Sequence, residues 1–418
     1  MDQLIFISIL IITAAALLYS FWKIKTNFDK TRSTAFYGQW VKRTQLTLQV
    51  AFGQTKILRK PVIGLMHALV FWGFMVITIG SLEMVIDGII GSHRLFGAWG
   101  MVYDIISASG DIFALIVLVG IIAFLFRRLV MRIKRFKGIE LSRKNKTDAN
   151  IALSFIMLLM LSLIGLNVYE TVQFGANAIG TYPFSGWLVN TLHPAKSAGL
   201  YAFFWWMHIV LIFVFANYLP YSKHFHVFMS LPNVFFSNLK PLTHLPMMPE
   251  VKKEVDLMMS DNPYAESDGP ASSRFGVKDV EDITWKNYMD ALTCTQCGRC
   301  TEVCPANITG KLLSPRKLFV DIRQRMDEKA GLSAEDAKAL VGDYITPEEL
   351  WACTSCNACA QECPLNISHP NLIMDMRRYL VLEEGQAPEE LNAMFANIEN
   401  NGAPWKYSPE DRLKWTEG

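Results

Sequence analysis

Five long apolar runs occupy the first half of the chain, at residues 4–22, about 61–86, 102–126, 150–169 and 200–219. Each is close to the roughly 20 residues that a helix needs to cross a bilayer. Residues 1–230 are therefore expected to form a five-helix transmembrane bundle, with the fifth helix running on to about residue 228. The first run carries no charge, follows no basic stretch and precedes no small-x-small site. It is also longer than the apolar core of a signal peptide, so it reads as a retained helix. The composition agrees, since 51% hydrophobic and 19% charged residues exclude a disordered chain. A net charge of +2 gives no ground for a nucleic-acid partner.

The loops orient the bundle. Segments 23–60 and 127–146 carry nine Lys or Arg each, whereas the alternate loops carry only Arg94 and Lys196. Basic residues gather on the cytoplasmic side and anchor to anionic lipid there. The expected topology puts the N-terminus outside, in a bacterial cytoplasmic membrane, and everything after about residue 230 in the cytoplasm. Residues 231–276 are rich in Pro, Asn, Ser and Asp and read as a linker. Residues 277–418 read as a helical domain. Ser314-Pro315, Thr346-Pro347-Glu348-Glu349 and Ser333 each mark a helix start. The expected fold class is thus all-α: the five-helix transmembrane bundle, then an α-helical two-cluster ferredoxin domain.

The ferredoxin reading rests on the cysteines. All eight lie between residues 294 and 363, in two copies of one spacing. They are Cys294, Cys297, Cys300 and Cys304-Pro305, then Cys353, Cys356, Cys359 and Cys363-Pro364. This spacing ligates cubane iron–sulfur clusters, because three close thiolates on one loop reach three irons while the fourth heads to the other cube. One [4Fe–4S] cluster is expected on Cys294, Cys297, Cys300 and Cys363, and the other on Cys353, Cys356, Cys359 and Cys304. Zinc favours two separated cysteine pairs and fits less well. The 48 residues between Cys304 and Cys353 exceed the connection of a compact bacterial ferredoxin. They resemble the helical two-cluster modules of succinate dehydrogenases and heterodisulfide reductases.

Histidines in the apolar half suggest haem, since ionisable residues within a membrane mark function. His67 lies near the inner start of the second run, His208 in the outer half of the fifth, and His226 near its inner end. In an unbroken helix His208 and His226 would share a face about 27 Å apart, with His224 nearly opposite. His67 and His226 are expected to hold one haem b. A second haem on His208 has no evident partner, because Ile77 and Thr78 cannot ligate; His193 and His93, in outer loops, are candidates if they fold back. The plainer reading is that some of these histidines only hydrogen-bond between helices. His244 and His369 read as surface residues. Glu83, Asp87, Asp104 and Asp111 read first as helix-end acids facing water, and second as proton carriers beside a quinone.

The segment Trp205-Trp206-Met207-His208 with Pro220-Tyr221-Ser222-Lys223-His224-Phe225-His226 resembles the fifth helix of the cytochrome b subunit of respiratory nitrate reductases. His67, in Leu65-Met66-His67, matches that family's first haem ligand, and its other second-helix histidine falls at Ile77 here. Several stretches of the second half are similar to heterodisulfide-reductase D-type proteins: Cys294 to Cys300, Leu313-Ser314-Pro315, Met376-Arg377-Arg378 and Asn401-Gly402-Ala403-Pro404-Trp405. The fused pattern, with Asn233-Val234-Phe235-Phe236, looks most like bacterial electron-transfer-flavoprotein:menaquinone oxidoreductases. The resemblance implies electron transfer between a cytoplasmic donor and the quinone pool, with menaquinone as substrate. Longer members continue into cysteine-rich CCG domains, and no cysteine follows Cys363 here. A separate CCG-domain iron–sulfur subunit, and through it an electron-transfer flavoprotein, are therefore the expected partners. The rival readings are a quinol-linked reductase of heterodisulfides or sulfur compounds, and a membrane-anchored iron–sulfur sensor or assembly protein without turnover.

Overall fold

A computed structural model describes residues 3–417 except 35–37, 132, 137, 139–140, 261–273 and 331–337. Among the described residues, five helices are long and apolar enough to cross a membrane. They are α1 (Gln3–Phe28), α2 (Pro61–Ile90), α3 (Met101–Leu129), α4 (Arg143–Phe174) and α5 (Ala198–Tyr218). Helix is the form that satisfies every backbone polar group within one segment when no water is at hand. Four of the five overrun their apolar stretches by up to about two turns, because local caps end them and not the last apolar residue. Pro61 opens α2 at its first position, and Gly91, at φ 80°, closes it by donating to the Asp87 carbonyl. The Ser142 and Ser197 side chains cap α4 and α5.

The helices pack in a ring, α1 on α2, α2 on α3, α3 on α4, α4 on α5, and α5 back on α1. The first helix is a full member of it. Phe6 is buried against Met84, Leu166, Trp205, Ile209 and Phe213, and Ser20 Oγ hydrogen-bonds Tyr221 Oη at 3.0 Å.

The fifth helix does not run unbroken to residue 228. It ends at Tyr218, two tight turns follow at Leu219–Tyr221 and Lys223–Phe225, and α6 (His226–Phe235) starts afresh. Pro220 has no N–H to continue the ladder, and Ser222 is extended at φ −95° and ψ 157°. The helical phase that relates His208 to His226 in an unbroken helix is therefore lost.

Nor is 231–276 a bare linker. It holds the end of α6, which packs on α7 (Trp285–Thr293), and a helix at Pro249–Met258. Asn233, fully buried, donates to the Leu365 carbonyl and accepts from Lys286. Of the run 261–276, residues 261–273 lie outside the described residues, as does Ser333.

The second half is helical, and among the described residues the only β pairing is two isolated bridges. Its long helices are α8 (Pro315–Lys329) and α9 (His369–Leu382). Pro315 opens α8, though the Ser314 side chain makes no cap. Thr346 and Glu349 form the capping box that their spacing predicts. The core gathers Val280, Ile283, Tyr288, Leu318, Phe319, Ile322, Met326, Leu372 and Met376.

One buried ion pair stands beside this core. Arg325, fully buried, donates from Nε and Nη2 to the two Asp279 oxygens at 3.0 and 2.7 Å, and Lys329 adds a third donor. Burial alone would raise the Asp279 carboxyl, but these donors outweigh it and hold it below the usual carboxylate range. Its stabilisation is complete above an unfolded value of about 4 and is lost as the pH falls through the lower folded one. Asp279→Ala takes the Asp279 carboxylate from the buried Arg325 and from Lys329, and should cost about 3–5 kcal/mol. A lower urea midpoint for the tryptophan fluorescence change of this half would show it; an unchanged midpoint would refute it.

Candidate metal and cofactor centre

The two cysteine loops are built alike. Gln296 and Gly298 in the first, and Ser355 and Asn357 in the second, have left-handed φ of 56°, 77°, 56° and 61°. Such turns aim successive amide N–H groups inward at anionic sulfur. The Ser355 N–H donates to Cys353 Sγ at 3.4 Å, and the Gln296 N–H does so to Cys294. Pro305 starts a short helix whose Ala306 and Asn307 N–H groups face the Cys304 thiol. Each loop is braced by an arginine. Arg316 Nη1 donates to the Gln296 and Arg135 carbonyls, and Arg377 donates to those of Leu350 and Cys353. A Cβ at Gly298 would stand only 2.7 Å from Arg316 Nη1.

Folding brings the fourth cysteine of each run to the other loop. Cys294, Cys297, Cys300 and Cys363 line one small cavity, while Cys304 neighbours Cys353 and Cys356. Burial pushes the Cys294 thiol up to about 11 and the Cys363 thiol up to about 12, and nearby thiols add to it. Thiols so placed become thiolates only with cationic metal among them, which is the charge balance that iron supplies. Among the described residues no three such side chains converge on a single ion. Cubane ligation asks for something else, one iron for each thiolate.

The second candidate site is a cavity of about 580 Å³ inside the ring, within the range of cofactor sites of roughly 300–1,000 Å³. Its walls come from α2, α3, α4 and α5, and it reaches Thr295, Gln296, Cys297 and Arg299 of the first cysteine loop. His67, His208, His224 and His226 all line it. In three of them Nδ1 is taken by an acceptor, which leaves Nε2 free to ligate. His226 Nδ1 donates to the Lys223 carbonyl at 3.1 Å. His67 Nδ1 faces Gln54 Oε1 at 3.2 Å, with the amide fixed because Gln54 Nε2 donates to the Ala51 carbonyl. His208 Nδ1 lies 2.8 Å from Ser162 Oγ, whose own proton goes to the Leu159 carbonyl. Burial lowers the His226 imidazolium, and lowers that of His224 to about 3, and both shifts favour the neutral ring that a ligand must be.

Other placements correct the sequence reading. His193 is exposed at the end of the helix Pro183–Leu192 and does not line the cavity. His93, after the end of α2, is held by Glu170 and Tyr201. His369 is buried, not at the surface, and borders the cavity of the first cysteine set. Glu83, Asp87 and Asp111 are at most 4% exposed, so they do not face water. They organise the segments that follow α2 and α4: Asp87 accepts from the Arg94 and Leu95 amides, and Asp111 from those of Phe184 and Ser185.

The basic loop after α1 also has a second use. Lys56 donates to the Cys363 carbonyl and Arg59 to that of Gln361, while Arg299 returns bonds to Lys56 and Ile57. These residues clamp the first cysteine loop and the end of the second run onto the bundle. Charge counting cannot separate such a clamp from lipid anchoring, because both need cations at the same helix ends. Gln54 and Ser162 were likewise beyond sequence reasoning, since only the fold sets them beside a histidine.

Comparison with known proteins fits this architecture. Residues 293–367 match the family model described as a 4Fe-4S dicluster domain. The chain is 27% identical, over 98% of its length, to a Bacillus subtilis protein named "Probable iron-sulfur-binding oxidoreductase FadF". It is 28% identical, again over 98%, to the "EtfAB:quinone oxidoreductase" of Syntrophomonas wolfei. It spans 60% and 59% of the lengths of these two relatives. Over 33% of its length it is 29% identical to the D-type polypeptide of a heterodisulfide reductase of Methanosarcina acetivorans, with 35% of that polypeptide covered. No solved structure gives a significant match.

Proposed function

We propose that this chain is the membrane electron-transfer part of a quinone-linked iron–sulfur oxidoreductase, working between a cytoplasmic donor and menaquinone in the bilayer. The observation that carries the reading is the shared cavity wall. The cysteine loop and the histidines His67 and His226 border one apolar space. Relatives matched over 98% of the chain, one named an iron–sulfur oxidoreductase and one a quinone oxidoreductase, support it.

Cys294, Cys297, Cys300 and Cys363 would hold one [4Fe–4S] cluster, and Cys353, Cys356, Cys359 and Cys304 the other. His67 and His226 would hold a haem b, and His208 is the remaining ligand candidate for a second. Once bound, these groups supply one-electron carriers whose potentials follow ligand type, hydrogen bonding and solvent exposure. The chain's own residues position them. Gln54, Ser162 and the Lys223 carbonyl fix the imidazole tautomers, Lys56, Arg59 and Arg299 hold the cysteine loop to the bundle, and apolar walls exclude water. Cys356 is the one exposed cysteine, which supports a donor that docks at the second loop. In this reading the N-terminus is outside and the ferredoxin half is in the cytoplasm. An electron-transfer flavoprotein supplies electrons through a CCG-domain iron–sulfur subunit.

Anaerobic visible spectroscopy of the detergent-purified protein tests the proposal. Adding a menaquinol analogue should raise a reduced b-type band. A haem band that ignores quinol would remove the quinone link, and the lack of any haem would leave a membrane-anchored ferredoxin. Reduction driven by a dithiol in place of quinol would favour the sulfur-compound reading, whose relatives match a third of the chain.

A further inference from the structure

The large cavity has two unlike ends. Along the helices its wall is apolar, with Val70, Ile121, Leu153 and Phe215 among its residues. Where it meets the first cysteine loop, it is lined by Arg127, Arg128, Arg135, Lys146, Lys223 and Arg299. No aspartate or glutamate lines it among the described residues.

Neutral groups meet much of this charge. Arg299 bonds backbone carbonyls, Lys223 bonds the Asn145 carbonyl and Gln296 Oε1, and Arg128 bonds Asn150 Oδ1. Two carboxylates stand behind the wall. Glu302 is shared at 3.5 Å by Arg135 and at 3.4 Å by Lys60, and Asp148 accepts the Lys223 backbone N–H. Arg135 Nε is buried with no hydrogen-bond partner among the described residues. Of these six, Lys223 and Arg299 are buried and Arg127, Arg128 and Arg135 partly so, and cations taken from water in this way are costly unless an anion meets them.

We propose that this cationic end, through Arg127, Arg135 and Lys223, binds the two propionate carboxylates of the haem. The propionate edge would then face the first cysteine loop. The inference rests on the reading that His67 and His226 hold a haem. A quinone headgroup is neutral and would leave the cations unmet. A phospholipid phosphate has the needed charge but brings no ring for the histidines.

The test uses full-length protein purified without haem and titrated with protohaem or with its dimethyl ester, followed by the b-type absorption band. The wild type should bind protohaem about ten- to hundredfold more tightly than the ester, as for charge-assisted hydrogen bonds. Arg127→Gln and Arg135→Gln should each narrow that preference and leave ester affinity unchanged, and Lys223→Gln should narrow it as well. Arg135→Lys should keep part of it, and intact iron–sulfur spectra report that each variant is folded. Equal wild-type affinity for both porphyrins would overturn the propionate site and leave the histidine reading standing. Failure of both to bind would overturn the haem reading and this inference with it. A co-purified anionic phospholipid, lost in the same variants of a protein with no preference for protohaem, would assign the mouth to lipid and also overturn it.

Discussion

Cys363→Ser should remove the cluster of the first cysteine loop and spare that of the second, although Cys363 belongs to the second run. The reason is spatial. Cys363 lines the cavity of Cys294, Cys297 and Cys300, and its carbonyl is tied to the bundle by Lys56. Iron content should fall by about half, since each four-iron cluster depends on its own four thiolates. Cys304→Ser should do the reverse and strip the cluster of Cys353, Cys356 and Cys359. Electron paramagnetic resonance of the reduced protein separates the two signals. Cys363→Ser should also block reduction of the b-type band from the ferredoxin side, because the first loop is the one that borders the histidine cavity. Loss of the second loop's signal in Cys363→Ser would show that each run ligates its own cluster, and the crossed pairing would be wrong.

The second large effect concerns the haem. His67→Ala and His226→Ala should each abolish the b-type band and, with it, quinol-driven reduction, while the iron–sulfur signals persist. His224→Ala is the control, since His224 lines the same cavity but its Nδ1 has only a long 3.5 Å contact with Ser222 Oγ. Gln54→Leu removes the acceptor that orients His67 and should weaken haem binding by about ten- to hundredfold, the usual effect of losing such a support. A full band in His67→Ala would refute the ligand assignment. Loss of the band in His224→Ala, with His226→Ala unaffected, would move the inner ligand by two residues.

Much of the candidate site was legible because its signals are local. Thiolate spacing on one loop is set by the reach of a few residues, and both loops have the same left-handed turns around the second cysteine. Membrane crossing is a matter of length and apolarity, and five spans stand where the apolar runs lie. Thr346 and Glu349 form their capping box for the same reason, being three residues apart.

Readings that needed distance or phase fared differently. Extending α5 to residue 228 needed the helix to pass Pro220, where it breaks, so the face shared by His208 and His226 could not be taken from helical phase. His226 lines the cavity because the chain turns twice and starts α6 there. His193 and His369 changed places for want of the same information, one exposed and the other buried.

The sequence by itself determined the five apolar spans, the two cysteine loops and the helical character of both halves, since each depends on neighbours within a few turns. The crossed placement of the fourth cysteines was expected from their spacing, whereas the tertiary structure alone decided which histidines face one cavity. It also turned part of a basic loop into a clamp on the ferredoxin half and gathered cations at the cavity mouth. These are contacts between segments far apart in the chain, and packing fixes them, not the local order of residues.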